Sequence, residues 1–61
     1  MDRQVVEVLV EIINRNLNEL RQIEKFFEVR ELEVPPDAAK SIRAKRRELE
    51  KQLKRIEEAN K

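Results

Sequence analysis

Cysteine, histidine, glycine, threonine, tyrosine and tryptophan are all missing from this chain, which carries a single serine and a single methionine. Each absence removes a class of function. Without cysteine no disulfide can form, which suits a reducing compartment. Without histidine as well, a metal would have only carboxylates to bind, and these suit harder ions than zinc. No nucleophile, base and orienting group can be assembled from one serine and no histidine, so no enzyme is expected. Without glycine there is no phosphate-cradling loop. Glu7/Glu11 and Glu24/Glu28 lie one helical turn apart, but carboxylate-bridged metal sites in helical bundles need a Glu-x-x-His partner that is absent. The chain is read as non-enzymatic, with no cofactor and no metal.

Long apolar runs are lacking too. Asp2 and Arg3 precede a stretch interrupted by Glu7 and Glu11, with no small-residue cleavage site after it. No signal peptide is expected. The stretch is also well short of the roughly 20 apolar residues that span a bilayer. A membrane-surface role fits poorly, because the more apolar half is the acidic one, whereas interfacial helices carry Lys and Arg on their polar face. The expected location is cytoplasmic, with no membrane partner.

What is present is charge and a lopsided supply of large apolar residues. Charged side chains make up 44% of the 61 residues, yet the net charge is +1. Before Pro35 the chain counts five basic and eight acidic side chains, and from Pro35 onward nine and five. Fifteen large apolar residues precede Pro35, whereas only Ile42, Leu49, Leu53 and Ile56 follow Pro36.

A heptad started at Val6 places Val6, Ile13, Leu20, Phe27 and Val34 at position a, and Leu9, Asn16, Ile23 and Arg30 at d. Positions b and f read Glu7, Glu11, Asn14, Asn18, Arg21, Lys25 and Glu28. A strand would alternate at period two, and these polar residues recur at three and four. The spacing predicts a first helix from about residue 2 to 32, with Asp2 as its N-cap. Glu11–Arg15 and Arg15–Glu19 lend it modest i,i+4 support. Pro35 and Pro36 then stop it, giving a turn over about 33–36. Pro36 suits the first position of a second helix, expected over about 36–59 with Asp37 near its positive end. Ala39, Ile42, Arg46, Leu49, Leu53, Ile56 and Asn60 form its narrow stripe. Arg46–Glu50, Glu50–Lys54, Lys54–Glu58 and Glu57–Lys61 predict a laced, solvated surface.

Two long helices and a short connection predict an all-α antiparallel hairpin in one domain, residues 1–61. Folding at the prolines opposes residues whose numbers sum to roughly 69, so that Phe27 meets Ile42 and Leu20 meets Leu49. Residues before Leu9 would then face nothing. A core this small rarely supplies more than about 3–5 kcal/mol, and with disulfides and zinc gone, oligomerisation is the remaining support. The expected assembly is a homodimer forming a four-helix bundle, with Val5, Val6, Val8, Leu9, Val10, Ile12, Ile13, Leu17 and Leu20 at the interface. The alternative is a foreign helical protein partner laid along residues 5–17. Either way the expected role is assembly, adaptor or small-regulator work through protein–protein contact.

Polar residues at core-like positions have two readings. Asn16 is either wet at the edge or a buried amide that sets register. Arg30 and Arg46 should lay their methylenes over the seam and carry the charge to water or a neighbouring Glu. Met1, Phe26 and Phe27 read as packing residues.

Lys40, Arg43, Arg47, Lys51 and Lys54 recur along one face of the second helix, a candidate phosphate contact doubled in a dimer. Glu48, Glu50, Glu57 and Glu58 interleave with them, and no aromatic is free to stack on bases. A solvated face is the simpler reading, and nucleic acid is not the favoured partner. The architecture resembles Rop-type RNA-binding hairpin dimers. With no motif that matches residue by residue, the resemblance carries the bundle and leaves RNA or DNA binding by the basic stripe as the alternative function.

Overall fold

The computed structural model describes residues 2–60 and is all-helical: α1 spans Arg3–Val29 and α2 spans Pro36–Ala59, packed against each other as a hairpin. Met1 and the Glu57–Lys61 pair lie outside the described residues. Asp2 caps α1, its carboxylate accepting from the Gln4 backbone N–H at 2.8 Å. This satisfies one of the donors that a helix start leaves without an internal partner. Arg3–Glu7 and Glu11–Arg15 form i,i+4 ion pairs on the exposed face, at 3.6 and 3.4 Å. Both are well solvated and contribute little.

The first helix ends at Val29, three residues before the expected Leu32. Glu31 adopts φ 54°, the left-handed region, and the chain closes back on itself there. The Leu32 N–H donates to the Phe27 carbonyl at 2.9 Å, and the Glu31 N–H to the Glu28 carbonyl at 3.1 Å. This is the Schellman closure, which satisfies the last helical carbonyls and is usually made with glycine. A chain without glycine has to place another residue there, and so the sequence shows no stop signal at 31. Beyond it, Pro35 begins the second turn: its carbonyl accepts from the Ala39 N–H at 2.9 Å, and Pro36 occupies the first helical position. Asp37 sits in the first turn, where a negative charge complements the helix dipole.

The seam between the helices is shifted from the one the heptad predicts. The α1 residues turned inward are Val6, Val10, Ile13, Leu17, Leu20, Glu24 and Phe27, all buried or half-buried. These are positions a and e, whereas Leu9 and Ile23 at d are exposed. On α2 the inward set is Ala39, Ile42, Arg46, Leu49, Leu53 and Ile56, the expected stripe except for Asn60, which is exposed. Leu49, Ile13 and Val6 are the buried apolar residues, and none of them reaches full burial. Val6, expected to face nothing, is among them.

Arg46 reaches across the seam to the Glu24 carboxylate. The pair belongs to the opposed register, since 24 and 46 sum to one more than the expected 69. Arg46 thus carries its charge to a Glu of the other helix rather than to Glu50. Among the described residues no ion pair within α2 closes to 4 Å, so the expected lacing is absent there. Arg30 departs from expectation as well. Its guanidinium lies 3.7 Å from the centre of the Phe26 ring and donates to the Phe26 carbonyl at 3.3 Å. Phe26 also meets Phe27 edge to face, with ring centres 5.6 Å apart.

Candidate functional site

Turning positions a and e inward leaves the other apolar positions of α1 with no partner on α2. Val5, Val8, Leu9, Ile12, Ile23, Phe26 and Val29 are all exposed, from 36% for Leu9 to 67% for Val29. They are not scattered. Val5, Leu9, Ile12, Asn16, Glu19, Ile23, Phe26 and Arg30 follow one another at alternating spacings of four and three, a second heptad stripe on the same helix. Val8 borders it, whereas Val29 lies on the other side of the helix beside Lys25 and Glu28.

At 100° per residue the second stripe is centred about 110° around the helix from the first. A helix with two apolar faces at roughly a right angle is the form needed where each helix touches two neighbours, as in a four-helix bundle. A helix packed on one partner needs only one.

Shallow grooves mark the face along its length. One is lined by Gln4, Val5, Val8 and Leu9, and another by Glu19, Gln22, Ile23 and Phe26. Between them a groove of about 340 Å³ is bounded by Leu9, Ile12 and Asn16 of α1 and by Leu49, Gln52, Arg55 and Ile56 of α2. The half-buried Asn16 lies at this groove and has no hydrogen-bond partner among the described side chains. The opposite side of the hairpin carries most of the charge, with Arg21, Lys25 and Glu28 of α1 beside Glu50 of α2, and Val29 lies exposed among them.

The dimensions agree with an uncovered face. The molecule measures 43 × 17 × 12 Å, one helix deep. Its radius of gyration is 14.2 Å, against about 10.5 Å for a compact chain of this length. Its accessible surface is 5418 Å², against about 4200 Å² for a folded monomer of this mass.

Of the nine residues expected at an interface, Val5, Val8, Leu9 and Ile12 lie on the exposed stripe. Val6, Val10, Ile13, Leu17 and Leu20 lie along the seam with α2. Ile23 and Phe26 lie on the same exposed stripe and are not among the nine. Their signal was there in the unbroken four-and-three spacing from Leu9 through Phe26. It was masked because Asn16 and Glu19 interrupt the stripe midway.

The basic candidates Lys40, Arg43, Arg47, Lys51 and Lys54 are all exposed. They lie on the flank of α2 away from Gln52 and Arg55, and so away from the apolar stripe of α1. Among the described residues no group of His, Cys, Asp and Glu could hold a metal ion. No described helix is long and apolar enough to cross a membrane. Comparison with protein-family models, with curated proteins and with solved structures finds no match to this chain.

Proposed function

We propose that this protein is a non-enzymatic, cytoplasmic helical protein that works through protein–protein contact as an assembly element, adaptor or small regulator. Its first contact is with a second copy of itself, two hairpins completing a four-helix bundle. The observation that supports this is the second stripe of α1, six exposed large apolar side chains on one face. The largest apolar patch on an ordinary monomer already tends to be functional, and this one runs most of the length of a helix.

Energetics point the same way. Fully burying a large apolar side chain is worth about 1.5–3 kcal/mol. The stripe residues are roughly half exposed, so each gains about half of that when covered. Summed over two copies, this exceeds the few kcal/mol that the hairpin's small core supplies. Folding and pairing are therefore coupled, and the thermal midpoint should rise with protein concentration. A midpoint constant over a hundredfold dilution would count against the dimer and leave the foreign helical partner as the reading of the same face.

A second reading rests on the basic flank of α2. Lys40, Arg43, Arg47, Lys51 and Lys54 are solvated, none closes an ion pair within 4 Å among the described residues, and the flank stays open when the α1 stripe is covered. Such a flank suits a salt-sensitive RNA or DNA contact. A mobility-shift assay at two salt concentrations tests it. Binding that weakens steeply with salt, and that Arg43→Glu with Arg47→Glu abolishes, supports the contact; no shift at low salt removes it.

A further inference from the structure

We infer that the second copy lies antiparallel along α1, in a register opposing residues whose numbers sum to about 35. This rests on the homodimer reading and adds the partner's orientation and register, which the heptad alone leaves open.

The order of residues along the exposed stripe carries the argument. It reads apolar at Leu9 and Ile12, polar at Asn16 and Glu19, then apolar again at Ile23 and Phe26. From Leu9 to Phe26 the pattern is the same from either end, so a copy running the opposite way matches these layers, while the outermost layer opposes Val5 to Arg30 of the partner subunit. Ile12 then meets Ile23 of the partner subunit, and Leu9 meets Phe26 of the partner subunit. In the middle, Asn16 meets the partner's Glu19, where an amide N–H donates to a carboxylate and supplies the partner that Asn16 lacks within the hairpin. A parallel copy fails at this centre, because it sets Glu19 against the partner's Glu19 in a surface losing its water. Like charges placed that way are strongly disfavoured.

One further observation falls into the same register. On α2 the Glu24–Arg46 register, with residues summing to 70, carries the pairing over. Glu48 then lies near Arg55 of the partner subunit, opposite charges at the edge of the contact. The area is adequate as well. The excess over a compact monomer is about 1200 Å², and a stable interface takes about 800 Å² from each partner.

Nitroxide labels on Gln4→Cys, read by pulsed dipolar spectroscopy, test the orientation. Gln4 is exposed at the start of α1, and only its backbone N–H is used by the cap. In the antiparallel register it lies level with residue 31 of the other copy, so the two labels stand about 40 Å apart at 1.5 Å per residue. A parallel pair brings the labelled backbones to within about 10 Å, the separation of packed helix axes. Asn16→Lys adds a second readout. The introduced ammonium meets the partner's Glu19 in the antiparallel pair, so the dimer dissociation constant stays level or falls. In a parallel pair it faces its own copy, and the constant rises at least tenfold. A dimer with a short label distance or a weakened Asn16→Lys overturns the register and keeps the dimer. A single-chain mass by light scattering overturns both.

Discussion

Ile12 and Ile13 are neighbours in sequence and sit in different environments. Ile13 is 6% exposed against α2, whereas Ile12 is 46% exposed on the second stripe. Truncating each to alanine distinguishes the seam within the hairpin from the face offered to a second hairpin. Ile13→Ala opens a cavity in the seam, and such truncations cost about 2–5 kcal/mol. For a hairpin with so small a core, the result is loss of most of the helical signal at 25 °C. Ile12→Ala leaves the seam intact and removes only the area covered on pairing. Nearly half of a full burial is about 0.7–1.4 kcal/mol per copy. Two copies lose about 1.4–2.8 kcal/mol, a rise of about tenfold to a hundredfold in the dissociation constant. Sedimentation equilibrium over a dilution series reads the constant, and circular dichroism at high concentration checks that the helices persist. If Ile12→Ala pairs as tightly as the parent while Ile13→Ala unfolds, the exposed stripe is not the contact.

Other outcomes follow from the same geometry. Leu9→Glu should return a single-chain mass in light scattering with reduced helicity, because it places a charge in the covered stripe; Lys51→Glu, on the solvated flank, should change neither. Glu31→Gly should raise stability by about 0.5–1 kcal/mol by relieving the left-handed conformation, seen as a thermal midpoint higher by several degrees; a lower midpoint would contradict the Schellman closure. Asp2→Ala should cost about 0.5–2 kcal/mol in urea unfolding through loss of the cap. Arg46→Leu should raise the thermal midpoint, since the Arg46–Glu24 pair is partly solvated and worth little, while leucine continues the α2 stripe. A drop of more than about 1 kcal/mol on that change would show the bridge to be worth more than a surface pair.

Much of this architecture can be read from residue types and spacing. The period of the polar residues in α1, the proline pair and the stripe of α2 are local signals, and they lead to two helices opposed near Leu20 and Leu49. Two features escape such reading. The first is the end of α1, where Glu31 does the work of a glycine that the chain does not possess. Its left-handed turn is favoured by hydrogen bonds to Phe27 and Glu28 rather than by its own preference.

The second is which apolar face turns toward α2. α1 carries two stripes of similar strength, and α2 can cover only one. The a/e stripe offers an unbroken apolar run from Val6 to Leu20, then Glu24 for Arg46 and Phe27 at the turn end. The other stripe places Asn16 and Glu19 at its middle, opposite the best apolar residues of α2. Covering it would bury an amide and a carboxylate against Leu49 and Leu53, at the cost of leaving polar groups dry and unpaired. The choice between faces is thus made by the partner helix, and a heptad count on α1 alone cannot see it. The same two polar residues that spoil that stripe as a seam with α2 suit it to a partner that brings its own Asn and Glu.

The mass of the protein in solution tests the central claim most directly. Sedimentation equilibrium at concentrations above the dissociation constant should return twice the 7.4 kDa of one chain, falling toward the single value on dilution as helicity is lost. A mass of one chain at every concentration, with both helices intact, would contradict it.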